Sequence, residues 1–421
     1  MLEHAYFSEK SVPAQPCVLL TDTQRNPGSA RLAIGLHNAG CRISGVCPTR
    51  GHPLLYTRAV EQTFPYSGFS PLQSVEAAIT ATKPDIVIPC DDRAVQHLHE
   101  LHAQALVRGT NGRATADVIE HSLGPPASYP VVGSRYELLK LARELGIRVP
   151  ATIPIRTADD LRTWSDTESF PVVLKAEGTY GGLGVRVAHS LKEAEQIFLK
   201  FNRPHRTRRV IKRLIVNRDP FWIRPWWKRQ RPAVIAQAHI PGRPANCAVA
   251  CWEGRVLAGI GVEVLTSEGS TGPANVVRVV DSPDMMTAAE KIAQKLGLSG
   301  IFGLDFMIEQ QGGAAYLIEM NPRCTPLCHF QLGKGRDMVS ALWSQLSGQP
   351  LPEIPPVTQN EVITYFPQAH AKSIEPSSYY DIPKGEPDLV RELLRPWPDR
   401  SLIFRLGHIL TSFPAQKSSD L

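Results

Sequence analysis

The stretch GIFGLDFMIEQQGGAAYLIEMNPR, residues 300–323, decides the fold. Two apolar runs flank a QQGG turn, a pattern that suits a β-hairpin. Side chains at i and i+2 of a strand share a face, so Glu319 and Asn321 point the same way, with Arg323 close behind. Asp305 lies on the partner strand, and the hairpin can bring two carboxylates and a carboxamide within reach of one metal ion. Glu319 stands between AAYLI and Met320, so its strand reads as buried. A buried acid facing another acid calls for a cation, and magnesium takes such hard oxygen ligands while keeping substrate phosphates in its shell. A solvated polar edge is the alternative reading.

A second segment, FPVVLKAEGTYGGLGVRV (170–187), runs a strand into Lys175 and then into Gly178, Gly181, Gly182 and Gly184. Glycines let a backbone approach a phosphate and present N–H groups to it, and a lysine at the strand end can meet its charge. The lysine precedes the glycines, so this is not a GxxxxGK[ST] loop. A hairpin tip without a ligand is equally compatible with these residues alone.

The 421 residues exceed what one core usually holds and suit two or three domains. With 43% hydrophobic and 20% charged residues the composition is that of a soluble globular protein. No apolar run is long enough for a membrane span, and MLEHAYFSEKSVPAQP lacks the apolar core of a secretory signal, so a cytoplasmic protein is expected. The eight cysteines contain no CxxC pair, which speaks against a zinc ribbon and for reduced, buried thiols. His97, His99 and His102 form a cluster on VQHLHELHA. No nearby acid or cysteine pattern supports a metal there, and a solvated helix is the expected reading.

Along the first third, PCVLLTD, SARLAIGLHNAG, CRISGVCPTR, PLQSVEAAITATK and PDIVIPCDD alternate strand and helix, which argues for a parallel sheet with crossover helices over residues 1–125. The turn TDTQRNPGSA carries one glycine and does not match GxGxxG. The domain is therefore Rossmann-like without a dinucleotide loop. SLGPPASYPVV (122–132) reads as a linker, and SRYELLKLARELGIRVP as a helix stopped by Gly146. An α+β region follows, and the proline-rich residues 351–421 are expected to pack as irregular structure on the main body.

Lys175 with its glycine loop, GLDF, and IEMNPR, in this order and spacing, resemble the ATP-grasp superfamily, and IEMNPR is similar to the carbamoyl-phosphate synthase large subunit. The resemblance covers about residues 130–350. It implies an α/β and α+β chain: a Rossmann-like pre-ATP-grasp domain, then a two-lobed ATP-grasp fold with lobe 1 at 130–235 and lobe 2 at 236–350. It also implies ATP and Mg2+ (or Mn2+) as cofactors. Arg135, eleven positions before Gly146, and Lys175 would hold the ATP phosphates, and the Gly178–Gly184 loop would close over them. Gln237, Ala238, His239 and Ile240 would form the hinge that meets adenine. Asp305, Glu319 and Asn321 match the metal ligands, and Arg323 matches the arginine that stabilises the phosphorylated intermediate.

Two departures stand out. Relatives carry glutamates in and after the hinge for the ribose, whereas this chain has Gln237-Ala238 and then Arg243-Pro244-Ala245-Asn246. Carbamoyl-phosphate synthase also has a second arginine where this chain has Pro326. The implied activity is an ATP-dependent ligase joining a small-molecule carboxylate to an amine through an acylphosphate. The rival is a non-catalytic ATP-binding scaffold of the same fold.

Residues 203–232 hold eleven Lys or Arg against one Asp, interleaved with Trp222, Trp226 and Trp227, although the whole chain carries only +6. The rest of the protein is therefore net acidic. Such an insertion suits an anionic membrane surface, an acidic protein or carrier, or, least favoured, nucleic acid. A tryptophan cover for the lid is the plainer alternative. A homodimer is compatible with all of these readings.

Overall fold

A computed structural model describes residues 15–178, 184–203, 231–269, 272–369 and 378–396, with a few more between 207 and 229. Three sheets organise them. The first contains β1 (Cys17–Thr21), β2 (Arg42–Cys47), β3 (Gln62–Pro65) and β4 (Ile86–Pro89), all parallel, in the order β3-β2-β1-β4. Helix Pro27–Asn38 follows β1, with Pro27 at its first turn and the Asn26 side chain accepting from the Gly28 N–H at 2.9 Å. Residues 126–132, expected as a linker, instead form a 3-10 turn and a helical turn.

The second sheet holds β5 (Thr152–Ile155), β6 (Val172–Ala176), β7 (Val185–Ala188) and β8 (Val234–Ala238), in the order β5-β8-β6-β7. Helices Ala158–Thr167 and Leu191–Phe201 cover it, burying Leu161, Trp164, Ile197 and Phe198 against Val172, Leu174 and Ala236. Strand β8 crosses the expected 235/236 lobe boundary, so this lobe ends after Ala238.

The third sheet has seven strands: β9 (Gly242–Trp252), β10 (Arg255–Ser267), β11 (Ala274–Val279), β12 (Gly300–Glu309), β13 (Ala315–Asn321), β14 (Val362–Tyr365) and β15 (Tyr379–Asp381). Their order is β13-β12-β9-β10-β11-β14-β15. Period-two alternation divides β9 between two cores. Ala248, Ala250 and Trp252 pack toward the first domain and helix Met338–Ser347, while Cys247, Val249 and Cys251 pack on helices Pro283–Leu296 and Arg135–Glu144. The first domain thus shares a core with the large sheet.

The described part of the tail is more regular than its prolines suggest. It supplies β14, β15 and helix Pro387–Leu394, with Leu389 and Leu393 buried. The helix carrying the three histidines is not solvated on that face. His97 and His102 are buried, His99 stacks on Tyr129 at 3.9 Å, and the Tyr66 hydroxyl lies 3.1 Å from His97 Nε2. All eight cysteines are buried free thiols.

Candidate active site

The hairpin β12–β13 pairs Asp305 directly with Glu319, as the alternation requires, and Asp305 lies opposite Asn246 of β9 on its other side. Pairing then jumps from Asp305–Glu319 to Phe306–Leu317, leaving Ile318 as an extra residue. Such a bulge bends the strand and re-aims its groups. The Ile318 carbonyl accepts from Lys175 Nζ at 3.3 Å, which ties the glycine-loop strand β6 to the β12–β13 hairpin.

Lys175 is buried, and burial pulls its ammonium below the usual lysine range, opposed chiefly by Glu319. Arg135 opens the helix Arg135–Glu144, after the Ser134 cap. Its Nε donates to Glu319 Oε2 at 3.1 Å and its Nη1 to the Ala176 carbonyl at 3.1 Å, with Glu177 Oε2 3.6 Å away. Glu177 Oε1 accepts from the Arg135 backbone N–H at 3.0 Å. Burial pushes Glu319 up, but Arg135 and Lys175 outweigh it and hold its carboxyl below the ordinary value.

Asp305 has the opposite balance. Burial, and then the Glu319 charge, push it up to about 6. Two carboxamides oppose that shift: Asn321 Nδ2 donates to its Oδ2 at 3.1 Å, and Asn246 Nδ2 to its Oδ1 at 2.6 Å. Arg323 Nη2 donates to Asn321 Oδ1 at 3.0 Å, and its Nε reaches Asp92 Oδ1 of the first domain at 2.9 Å. The three expected ligands therefore present adjacent hard oxygens, and the two apposed acids carry a like-charge cost that a divalent cation would relieve. That donor set fits magnesium.

These groups line a cleft of about 1690 Å³ between the second sheet, the third sheet and the first domain. Gln237, Ala238, His239 and Ile240 line it too. The Ala238 N–H is spent on the Ala151 carbonyl at 2.8 Å, whereas His239 and Ile240 lie beyond the strand. Gln237 is buried, with Nε2 3.5 Å from Thr152 Oγ1. Gly178 adopts φ +69°, a left-handed conformation that favours glycine, and Gly184 closes the loop by accepting from the Ala176 N–H at 2.9 Å. Gly181 and Gly182 lie outside the described residues. So does half of the basic insertion, including Trp222. Of its described part, Ile223, Trp227, Lys228 and Arg231 line the cleft, and Phe221 lies 4.3 Å from the Arg93 guanidinium.

Sequence reasoning missed Glu177, Asn246 and Asp92. Asn246 stood in view only as a departure from the ribose glutamates, and nothing local in CDDRA marks Asp92 as an active-site group.

Two family models match the chain: an ATP-grasp domain over residues 220–326, and the ATP-binding domain of the carbamoyl-phosphate synthase L chain over residues 135–218. The chain carries an ATP-grasp domain. Its fold is similar to that of N5-carboxyaminoimidazole synthetase from Staphylococcus aureus, at 13% identity and a TM-score of 0.55, covering 81% of this chain and 80% of that one. That synthetase has also been solved complexed with ADP. The carbamoyl phosphate synthase large chain of Xylella fastidiosa is 22% identical over 302 residues, 67% of this chain and 23% of that protein. Mitochondrial pyruvate carboxylase of Rattus norvegicus is 29% identical over 120 residues, 28% of this chain. The chain spans only 10% of that carboxylase's length. Among the described residues, no helix is long and apolar enough to cross a membrane.

Proposed function

We propose that the protein is an ATP- and magnesium-dependent ligase that joins a carboxylate to an amine, releasing ADP and phosphate. The observation that carries this reading is the convergence on one cleft of Lys175 from the second sheet, Asp305, Glu319 and Asn321 from the third, Arg135 from a helix start and Arg323 from the turn after β13.

Lys175 and Arg135 would hold the nucleotide phosphates beside the Gly178 turn, and the hinge at His239–Ile240 would border the base. Magnesium held by Asp305, Glu319 and Asn321 would neutralise charge on the bridging phosphate oxygens. Phosphoryl transfer needs positioning and charge stabilisation more than covalent participation by the protein. The substrate carboxylate attacks the γ-phosphorus, forming an acylphosphate and ADP. The amine then adds to the acyl carbon, the C–O bond to phosphate breaks, and the amine's proton passes to solvent or phosphate. Arg323, with hydrogens left on both terminal nitrogens, would hold the phosphoryl oxygens through both steps.

The apposed acids are an electrostatic cost that a purely structural role would not require; a non-catalytic ATP-binding scaffold of the same fold would bind ATP here without releasing ADP. Of the basic insertion, the described residues Phe221, Ile223, Trp227, Lys228 and Arg231 line the cleft, which favours the reading of its tryptophans as a cover for the lid.

The test is a screen of carboxylate and amine pairs for magnesium-dependent ADP release. Glu319→Gln should reduce the release by about a hundredfold or more while the melting temperature stays close to wild type. Unchanged turnover in Glu319→Gln would reject the metal assignment.

A further inference from the structure

In an open parallel sheet, ligands bind outside the carboxyl ends of the strands where the strand order reverses. In the order β3-β2-β1-β4 that place lies between β1 and β4, beyond Thr21 and Pro89. Here the chain's own NPR turn fills it. The Cys324 N–H donates to the Pro89 carbonyl at 3.0 Å, and the Cys90, Cys324 and Cys328 side chains are buried together beneath the turn. Next to that docking point, Arg323 Nε donates to Asp92 Oδ1 at 2.9 Å.

We propose that Asp92 is a positioning residue for the ligase reaction: it fixes the Arg323 guanidinium in the orientation that meets the transferred phosphoryl group. The inference rests on the reading of Arg323 given under Proposed function. Arg323 has five N–H donors. Three are committed: Nε to Asp92, Nη1 to the Cys324 carbonyl at 3.2 Å, and Nη2 to Asn321 Oδ1 at 3.0 Å. One hydrogen remains on each terminal nitrogen, a pair suited to two phosphoryl oxygens. Of the three anchors only Asp92 comes from outside the turn, so it alone ties the plane of the guanidinium to a second domain.

Asp92 is itself rigidly placed. It begins helix Asp92–Val107, where the helix dipole favours a carboxylate. The preceding residue, Asp91, caps that helix by accepting from the Ala94 N–H at 2.9 Å. Asp91 also accepts from the Thr23 N–H at 2.6 Å and the Thr23 hydroxyl at 3.0 Å, which locks the helix start to the end of β1. The corner that often binds a ligand in such sheets here holds a catalytic arginine, and the first domain becomes part of the reaction centre.

Asp92→Ala, Asp92→Asn and Asp92→Glu test this in the full chain with two readouts. The first is the side-chain Nε–H resonance of Arg323 in protein labelled with 15N-arginine, assigned with Arg323→Lys. That resonance should move and exchange faster with water in Asp92→Ala, with a smaller change in Asp92→Asn, which keeps an acceptor oxygen. The second is steady-state turnover on a substrate pair from the screen. In Asp92→Ala, kcat should fall by about tenfold to a hundredfold, the KM for ATP should change by less than about threefold, and Asp92→Glu should recover part of the loss. An unmoved Nε–H resonance, or an Asp92→Ala kcat equal to wild type, would overturn the assignment. A wild-type protein that neither binds nor turns over ATP would sink the ligase reading instead, and the resonance would still decide whether Asp92 holds Arg323.

Discussion

Asp305 and Glu319 face each other across one rung of the hairpin, yet their carboxyls are driven in opposite directions. Glu319 has Arg135 and Lys175 beside it, whereas Asp305 has only neutral carboxamides at its oxygens, with Arg323 behind them. Asp305, raised to about 6, is ionised above that pH and competes for a proton below it. Magnesium affinity measured calorimetrically in the presence of ADP should therefore weaken as pH falls from 7 through 6 to 5, approaching about tenfold per unit below the titration point. Asp305→Asn should bind weakly and lose that slope; a wild-type affinity flat across this range would contradict the assignment. At this scale the hairpin set was legible, because a period of two places Glu319 and Asn321 on one face and the QQGG hairpin brings Asp305 of the partner strand beside them. Glu177, Asn246 and Asp92 were not, because each acquires its role from a partner 42, 59 or 231 residues away in the chain.

Two elements set the site's shape. The bulge at Ile318 frees a carbonyl for Lys175, and the helix Asp92–Val107 brings Asp92 to Arg323. Asp91 anchors that helix with three hydrogen bonds and is buried. Its replacement by alanine should cost about 2 kcal/mol, from the lost cap and the unpaired Thr23 groups. An unshifted urea midpoint in Asp91→Ala would show that the cap does not anchor the helix. Elements with clear periodicity, such as the helix in SRYELLKLARELGIRVP and the hairpin in GLDFMIEQQGGAAYLIEMN, are where the sequence places them. The short strands β3, β14 and β15 were not visible, since four or fewer residues carry too little alternation and form strands only because a sheet edge offers them a partner. The histidine helix misled for a related reason. Polar composition suggested water, but Tyr66 and Tyr129 supply the ring and hydroxyl contacts that let His97, His99 and His102 turn inward.

Across the whole molecule, the seven-stranded sheet is a shared wall with the first domain on one face and the helices behind the site on the other. The tail completes that wall: Ile363, Leu389 and Leu393 are buried, and Arg25 Nη2 donates to the Glu392 carbonyl at 2.7 Å. Truncation before Val362 should remove several kcal/mol, since each buried aliphatic side chain contributes about 1.5–3 kcal/mol. A truncated protein melting at the wild-type temperature would show that the tail is dispensable. The order of domains was legible from motifs, whereas their fusion through common cores was not, because no local pattern encodes which faces meet. We propose the cleft between the sheets as a magnesium-ATP site. Isothermal titration of ATP into the full chain tests it most directly. Saturable binding with one site per chain is predicted, strongly weakened when magnesium is omitted and in Lys175→Met; no binding in the presence of magnesium, or equal binding by Lys175→Met, would contradict it.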